Sequence, residues 1–80
     1  MTEEQRLQDA KALLAEATGR GESEIPPGAA VESWEPWDSL AHVRVVLAIE
    51  ARLGHELDPA RVASLATLED IAACLDGVER

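Results

Sequence analysis

Three stretches of the chain repeat apolar residues at intervals of three or four, and no stretch alternates long enough to predict a sheet. The first stretch predicts a helix over about residues 3–18, and its apolar residues are Leu7, Ala10, Leu13, Leu14 and Ala17. Thr2 and Gln5 have the form of a capping box, and Gly19 suits the left-handed residue that ends a helix. This periodicity predicts an all-α fold.

Residues 19–37 interrupt the periodicity with Gly, Ser and three Pro residues, and we expect them to form a long loop without regular structure. Loops of this length in a small domain are often functional or mobile. Trp34 and Trp37 offer large apolar surfaces that can hold the loop against the helices.

A second helix is predicted over about residues 39–53, with Asp38 or Ser39 as its N-cap and Gly54 beyond its end. At about 100° per residue, this helix has two apolar arcs. One arc contains His42, Val45, Val46, Ile49 and Leu53, and the other contains Leu40, Val43 and Leu47. Both arcs could be buried in a small bundle, or the second could be an exposed contact patch beside Ser39, and periodicity does not decide between them.

Two further helices complete the predicted fold. Asp58 followed by Pro59 predicts the start of a short helix over about residues 59–64. Thr67 and Asp70 have the spacing of a helix cap, which predicts a last helix over about residues 67–76. We therefore expect one domain over residues 1–80: a four-helix bundle with three main helices, one short helix and a long loop between helices 1 and 2.

The composition excludes several classes of function. The net charge is −9, and the seven basic residues are scattered, which argues against a nucleic acid partner and favours a positively charged protein surface. The N-terminal residues lack the charge and apolar pattern of a signal peptide, and no apolar run is long enough for a membrane span. A single cysteine allows no internal disulfide, so we expect a cytoplasmic protein.

The candidate residues for catalysis or metal binding lack the patterns that those functions need. Ser39 and His42 are one helical turn apart, but no nucleophile elbow surrounds the serine, and a helix cap is its ordinary role. His42 and His55 show no metal-ligand spacing. Cys74 lies beside the apolar stripe of the last helix and is expected to be a half-buried small hydrophobic residue. We expect no catalytic residue and no metal site.

The segment from Trp37 through Asp38, Ser39 and Leu40 into the second helix resembles the Asp-Ser-Leu segment of acyl and peptidyl carrier proteins. The later stretch over residues 65–71 is similar to the start of their last helix. Chain length, acidic charge and the order of helices and loop also agree with that family over essentially all 80 residues.

The resemblance implies a specific function. Ser39 would be the attachment site of 4'-phosphopantetheine, transferred from coenzyme A by a magnesium-dependent phosphopantetheinyl transferase, and Asp38 would help to present the serine. The thiol of the prosthetic arm would hold cargo as a thioester, so the protein would be a non-catalytic carrier. Its other partners would be an acyl- or aminoacyl-loading enzyme and a downstream synthase or transferase, and it would act as a monomer. Partner recognition would fall to Leu40, Val43, Arg44 and Leu47.

Two features depart from the family pattern. Glu35 and Pro36 stand where carriers often have an aliphatic residue and a Gly. The second helix has Arg44 and Arg52 against a single Glu50, whereas carriers of bacterial fatty acid synthesis have a strongly acidic second helix. We therefore expect a carrier of a specialised pathway (polyketide, nonribosomal peptide or related). The N-terminal Met ahead of a capped helix favours a freestanding carrier over a domain of a larger synthase.

Two other interpretations fit the composition. A small acidic helical protein could bind or inhibit a basic partner without any prosthetic group. A carrier-like domain could also serve as an unmodified structural adaptor. Both predict that Ser39 is never modified, so the state of Ser39 distinguishes them from a carrier.

Overall fold

The structure, a computed structural model, describes residues 2–75 and contains four α-helices. Helix α1 spans Glu3–Thr18, α2 spans Ser39–Leu53, α3 spans Pro59–Ser64 and α4 spans Leu68–Leu75. The predicted all-α bundle, with three main helices, one short helix and a long loop after α1, is confirmed. Helix α4 begins one residue later than predicted, and its predicted last residue, Asp76, lies outside the described residues.

Local hydrogen bonds explain where α1 and α4 begin, and a left-handed glycine explains where α1 ends. The Thr2 hydroxyl accepts a hydrogen bond from the N–H of Gln5 at 3.1 Å, and the Gln5 side chain accepts one from the N–H of Thr2 at 3.2 Å. Thr67 and Asp70 form the corresponding pair at α4, with both bonds at 3.1 Å. Gly19 has φ of 73°, the left-handed conformation that a glycine adopts at little steric cost.

Helix α1 packs chiefly against α4 and α2, and the core lies between these three helices. It is built from aliphatic side chains and Trp37, which is the largest fully buried residue. The other fully buried large side chains are Leu13, Leu14, Val45, Ile49 and Ile71. Helix α3 contributes no buried residue to this core, and the carbonyl oxygen of its Val62 lies 3.4 Å from Nε2 of His42 on α2.

The segment between α1 and α2 has more structure than the sequence predicted. It contains one turn of 3-10 helix at Glu22–Glu24 and an antiparallel bridge between Ala30 and Thr67. The N–H of Val31 donates to the carbonyl of Ala66 at 2.8 Å, and Ala29 is buried. These contacts join segments far apart in sequence, so they leave no local periodicity that would have predicted them.

Within residues 2–75, no helix combines the length and the apolar character that crossing a membrane requires.

Candidate functional site

The start of α2 is capped by Asp38 and not by Ser39. The Asp38 carboxylate accepts a hydrogen bond from the N–H of Ala41 at 2.9 Å, and its carbonyl accepts one from the N–H of His42 at 2.8 Å. Asp38 has extended backbone angles, as an N-cap residue does, and Ser39 is the first helical residue. The helix therefore does not need the Ser39 hydroxyl for its cap.

The Ser39 side chain is exposed, and its hydroxyl makes no hydrogen bond to any of residues 2–75. The N–H groups of Ser39 and Leu40 likewise have no acceptor within that part of the chain. Free N–H groups at the start of a 15-residue helix attract anions, because they carry the positive end of the helix dipole. Ser39 thus combines an available hydroxyl with neighbouring backbone N–H groups that suit the oxygens of a phosphodiester.

His42 is held by two hydrogen bonds that join α2 to the preceding loop and to α3. The indole Nε1 of Trp37 donates to Nδ1 of His42 at 3.3 Å, and the two rings stack at 24°. Nδ1 is therefore an acceptor, and Nε2 carries the proton and donates to the carbonyl of Val62 at 3.4 Å. Both ring nitrogens are occupied by structural contacts.

This arrangement gives no support to serine hydrolase chemistry. A nucleophilic serine needs a base with a free ring nitrogen directed at its hydroxyl, and His42 offers none. Among residues 2–75, no group of three or more His, Cys, Asp or Glu side chains is placed to hold a metal ion. His55 lies apart from this site, with its Nδ1 at 2.9 Å from the carbonyl oxygen of Glu56.

A shallow hollow of about 320 Å³ opens beside Ser39 and is lined by Val31, Ser39, His42 and Leu65. Val31 comes from the long loop, and Leu65 comes from the junction between α3 and α4. The sequence analysis did not identify these two residues as neighbours of Ser39. Their only sequence signal is that both are aliphatic, so the fold was needed to find them.

The exposed side of α2 carries the second apolar arc. Leu40, Val43 and Leu47 are 61, 54 and 59 % exposed, whereas Val45 and Ile49 of the first arc are fully buried. The structure therefore decides between the two alternatives left open by periodicity: one arc belongs to the core and the other faces solvent. Arg44 is also exposed on this side of the helix.

Cys74 is buried, with 6 % of its surface exposed, which is more burial than the sequence led us to expect, and its surroundings disfavour a reactive thiolate. Burial raises the pKa of the Cys74 thiol, an effect that the positive charge of Arg61 partly offsets and the negative charge of Asp70 reinforces. The thiol is protonated at neutral pH and cannot readily hold a cargo.

Comparison with known proteins matches residues 8–75 to the family described as "Phosphopantetheine attachment site". The match covers α2, α3 and α4 completely and all but the first residues of α1. No curated protein and no solved structure matches the chain. Members of the matched family bind 4'-phosphopantetheine covalently, and domains of this kind are generally non-catalytic. The chain belongs to this phosphopantetheine-attachment family of acyl and peptidyl carrier proteins.

Proposed function

We propose that this carrier protein bears its 4'-phosphopantetheine on the Ser39 hydroxyl and delivers pathway intermediates to partner enzymes. The observation that carries the proposal is the exposed Ser39 hydroxyl, which no residue of 2–75 engages because Asp38 caps the helix instead. If Ser39 served only as a helix cap, its own hydroxyl, and not the Asp38 carboxylate, would accept a hydrogen bond from an N–H of the first turn.

The residues around Ser39 fit the group. In the transfer, Ser39 Oγ would lose its proton and bond to the pantetheine-side phosphorus of the coenzyme A pyrophosphate. The bond from that phosphorus to the bridging oxygen would break, and the nucleotide would leave as adenosine 3',5'-bisphosphate. The N–H groups of Ser39 and Leu40, which have no acceptor within residues 2–75, would be available to donate to the resulting phosphodiester. When bound, the group supplies a thiol that holds cargo as a thioester. The chain's own thiol, on Cys74, is buried and unsuited to that task.

Asp38 has two roles in the proposal. Its carboxylate fixes the first turn of α2 through Ala41, and its charge helps to present Ser39 to the phosphopantetheinyl transferase. Because both nitrogens of His42 are engaged, this histidine is not available as a base, and we assign removal of the serine proton to the transferase. The carrier is therefore non-catalytic.

The partners proposed are the transferase, an acyl- or aminoacyl-loading enzyme and a downstream synthase or transferase. Leu40, Val43, Arg44 and Leu47 form the surface that these enzymes contact, because all four are exposed on the helix that begins at Ser39. A specialised pathway, such as polyketide or nonribosomal peptide synthesis, is favoured by the two arginines of α2. The protein acts as a monomer in the cytoplasm, and a net charge of −9 disfavours nucleic acid as a partner.

Thiol counting tests the proposal on the Cys74→Ala background, which removes the chain's one cysteine. After incubation with coenzyme A, magnesium and a broad-specificity transferase, followed by removal of free coenzyme A, we expect one fast-reacting thiol per chain. Adding Ser39→Ala should abolish that thiol. If the thiol persists in Ser39→Ala, the group is attached to another residue. If neither protein gains a thiol, the result favours a small acidic helical protein that binds a basic partner without a prosthetic group.

A further inference from the structure

The exposed face of α2 is apolar but contains one cation. Within residues 2–75, the large apolar side chains that are more than half exposed all lie on this helix, and they are Leu40, Val43 and Leu47. At about 100° per residue, Arg44 lies roughly 40° from Leu40 and 60° from Leu47. These four residues form the docking face.

The charge of α2 is opposite in sign to that of the rest of the chain. Helix α2 has two arginines and one glutamate, whereas the other 65 residues have five basic and fifteen acidic side chains. The single acidic residue, Glu50, is half-buried, and its carboxylate accepts a hydrogen bond from the N–H of Leu57 at 2.8 Å. The docking face itself therefore contains a positive charge and no negative one.

A guanidinium among apolar side chains restricts what can cover it. A partner that buries Leu40 and Leu47 also removes water from Arg44, and hydrogen bonds to an anion offset that loss best because they pair the charge as well as the donors. A carboxylate matches the planar guanidinium with two parallel hydrogen bonds. A basic partner surface would leave Arg44 unpaired and facing like charge, which disfavours the complex.

We infer that enzymes acting at Ser39 dock on this face with an apolar pocket that has a carboxylate on the side facing Arg44. The inference rests on the proposed function and gives the chemistry of the partner surface. It also adds to the expectation, drawn from net charge, of a positively charged partner: the acidic remainder of the chain sets the long-range field, whereas the contact with Arg44 favours an acidic group.

The test uses two phosphopantetheinyl transferases chosen for opposite charge around the active-site opening, one acidic and one basic. Arg44→Glu is compared with Arg52→Glu, which lies roughly 80° further round the helix, at about 100° per residue, and outside the docking face. Both substitutions change one arginine to glutamate and so alter the net charge equally. Any difference between them therefore reports the local contact and not the long-range field.

For each transferase, kcat/KM of a variant is divided by that of the unaltered protein. With the acidic transferase we expect Arg44→Glu to lower kcat/KM by about tenfold or more, and Arg52→Glu to lower it by about threefold at most. With the basic transferase we expect Arg44→Glu to raise kcat/KM. Equal effects of the two substitutions, or a loss with the basic transferase, would overturn the inference.

Loss of modification and loss of the Arg44 effect have different meanings. If neither transferase adds a group to the unaltered protein, the proposed function fails and the inference falls with it. If Ser39 is modified but Arg44→Glu behaves like Arg52→Glu, the proposed function stands and only the acidic partner surface is rejected. Circular dichroism verifies the fold of each variant, and Arg44→Gln, which removes the charge without reversing it, should give an intermediate loss with the acidic transferase.

Discussion

The indole N–H of Trp37 donates to Nδ1 of His42 at 3.3 Å, and this contact fixes the loop that precedes Ser39 to the helix that follows it. Trp37 is 1 % exposed in the intact protein, so its N–H depends on His42 as its acceptor. The imidazole next to the proposed attachment site is therefore a structural element of the site. His42 also links the first turn of α2 to helix α3, because its Nε2 lies within hydrogen-bond distance of the Val62 carbonyl oxygen.

His42→Ala should lower the free energy of unfolding by about 1–3 kcal/mol, because it leaves a buried donor without an acceptor. His55→Ala is the matched control: His55 is exposed, and its removal should change stability by no more than about 0.5 kcal/mol. Urea unfolding measures both. At a temperature where the variant is folded, His42→Ala should still be modified at Ser39. Equal stability of the two variants would show that the Trp37 contact contributes little.

Two valines lie on opposite sides of α2, one in the core and one at the surface. Val45 is fully buried and Val43 is 54 % exposed, so Val45→Ala and Val43→Ala make the same chemical change on the two sides of one helix. We expect Val45→Ala to cost about 2 kcal/mol or more through lost apolar burial and a residual cavity. Val43→Ala should stay within about 0.5 kcal/mol, since the residue is exposed and alanine is the better helix former.

In the reaction with the transferase, the surface substitution should have the larger effect and the core substitution the smaller one. Val43→Ala should lower kcat/KM for modification of Ser39, because it removes apolar area from the docking face. Val45→Ala should leave kcat/KM unchanged while the protein is folded. Measuring kcat/KM and unfolding on the same preparations checks both statements. A large loss of stability in Val43→Ala would mean that this arc of α2 belongs to the core.

Two substitutions of Asp38 distinguish its role as a helix cap from the role of its negative charge. Asparagine caps helices as well as aspartate does, so Asp38→Asn should keep stability within about 0.5 kcal/mol, whereas Asp38→Ala should cost about 1 kcal/mol. If the charge presents Ser39 to the transferase, Asp38→Asn should still slow modification by about tenfold, the effect of losing one charged contact in a complex. If Asp38→Asn is modified at the normal rate, the charge of Asp38 plays no part in the reaction and the residue serves only as the helix cap.

The raised pKa of the Cys74 thiol should make the free energy of unfolding depend on pH in the alkaline range. Burial raises the pKa of its thiol above the ordinary value of 9.0, so the unfolded chain loses this proton at lower pH than the folded protein does. The stabilisation is complete below pH 9.0 and is lost as the pH rises toward the folded value. Cys74→Ala should therefore lose less stability than the unaltered protein between neutral pH and about pH 10. Parallel loss in both proteins would contradict this origin.

The helix starts could be predicted from sequence because their signals are local. The capping hydrogen bonds join residues only two or three positions apart: Gln5 to Thr2, Ala60 to Asp58, and Asp70 to Thr67. The choice between Asp38 and Ser39 as cap of α2 was not predictable, since both residue types are good caps. The observed Asp38–Ala41 hydrogen bond decides it.

Longer-range features could not be predicted. The contact between His42 and Val62 joins residues twenty positions apart, and the bridge between Ala30 and Thr67 spans a still longer segment. Neither has a signature in composition or periodicity. Which apolar arc of α2 faces solvent likewise depends on where α1 and α4 pack, and that is a property of the whole fold.

The attachment of the prosthetic group to Ser39 is tested most directly by intact mass spectrometry. The protein is incubated with coenzyme A, magnesium and a broad-specificity phosphopantetheinyl transferase, beside Ser39→Ala and the control Ser33→Ala, which alters an exposed loop serine. We predict the mass of one added phosphopantetheinyl group in the unaltered and Ser33→Ala proteins and none in Ser39→Ala. No added mass in any folded protein, or an addition that survives Ser39→Ala, would contradict the account.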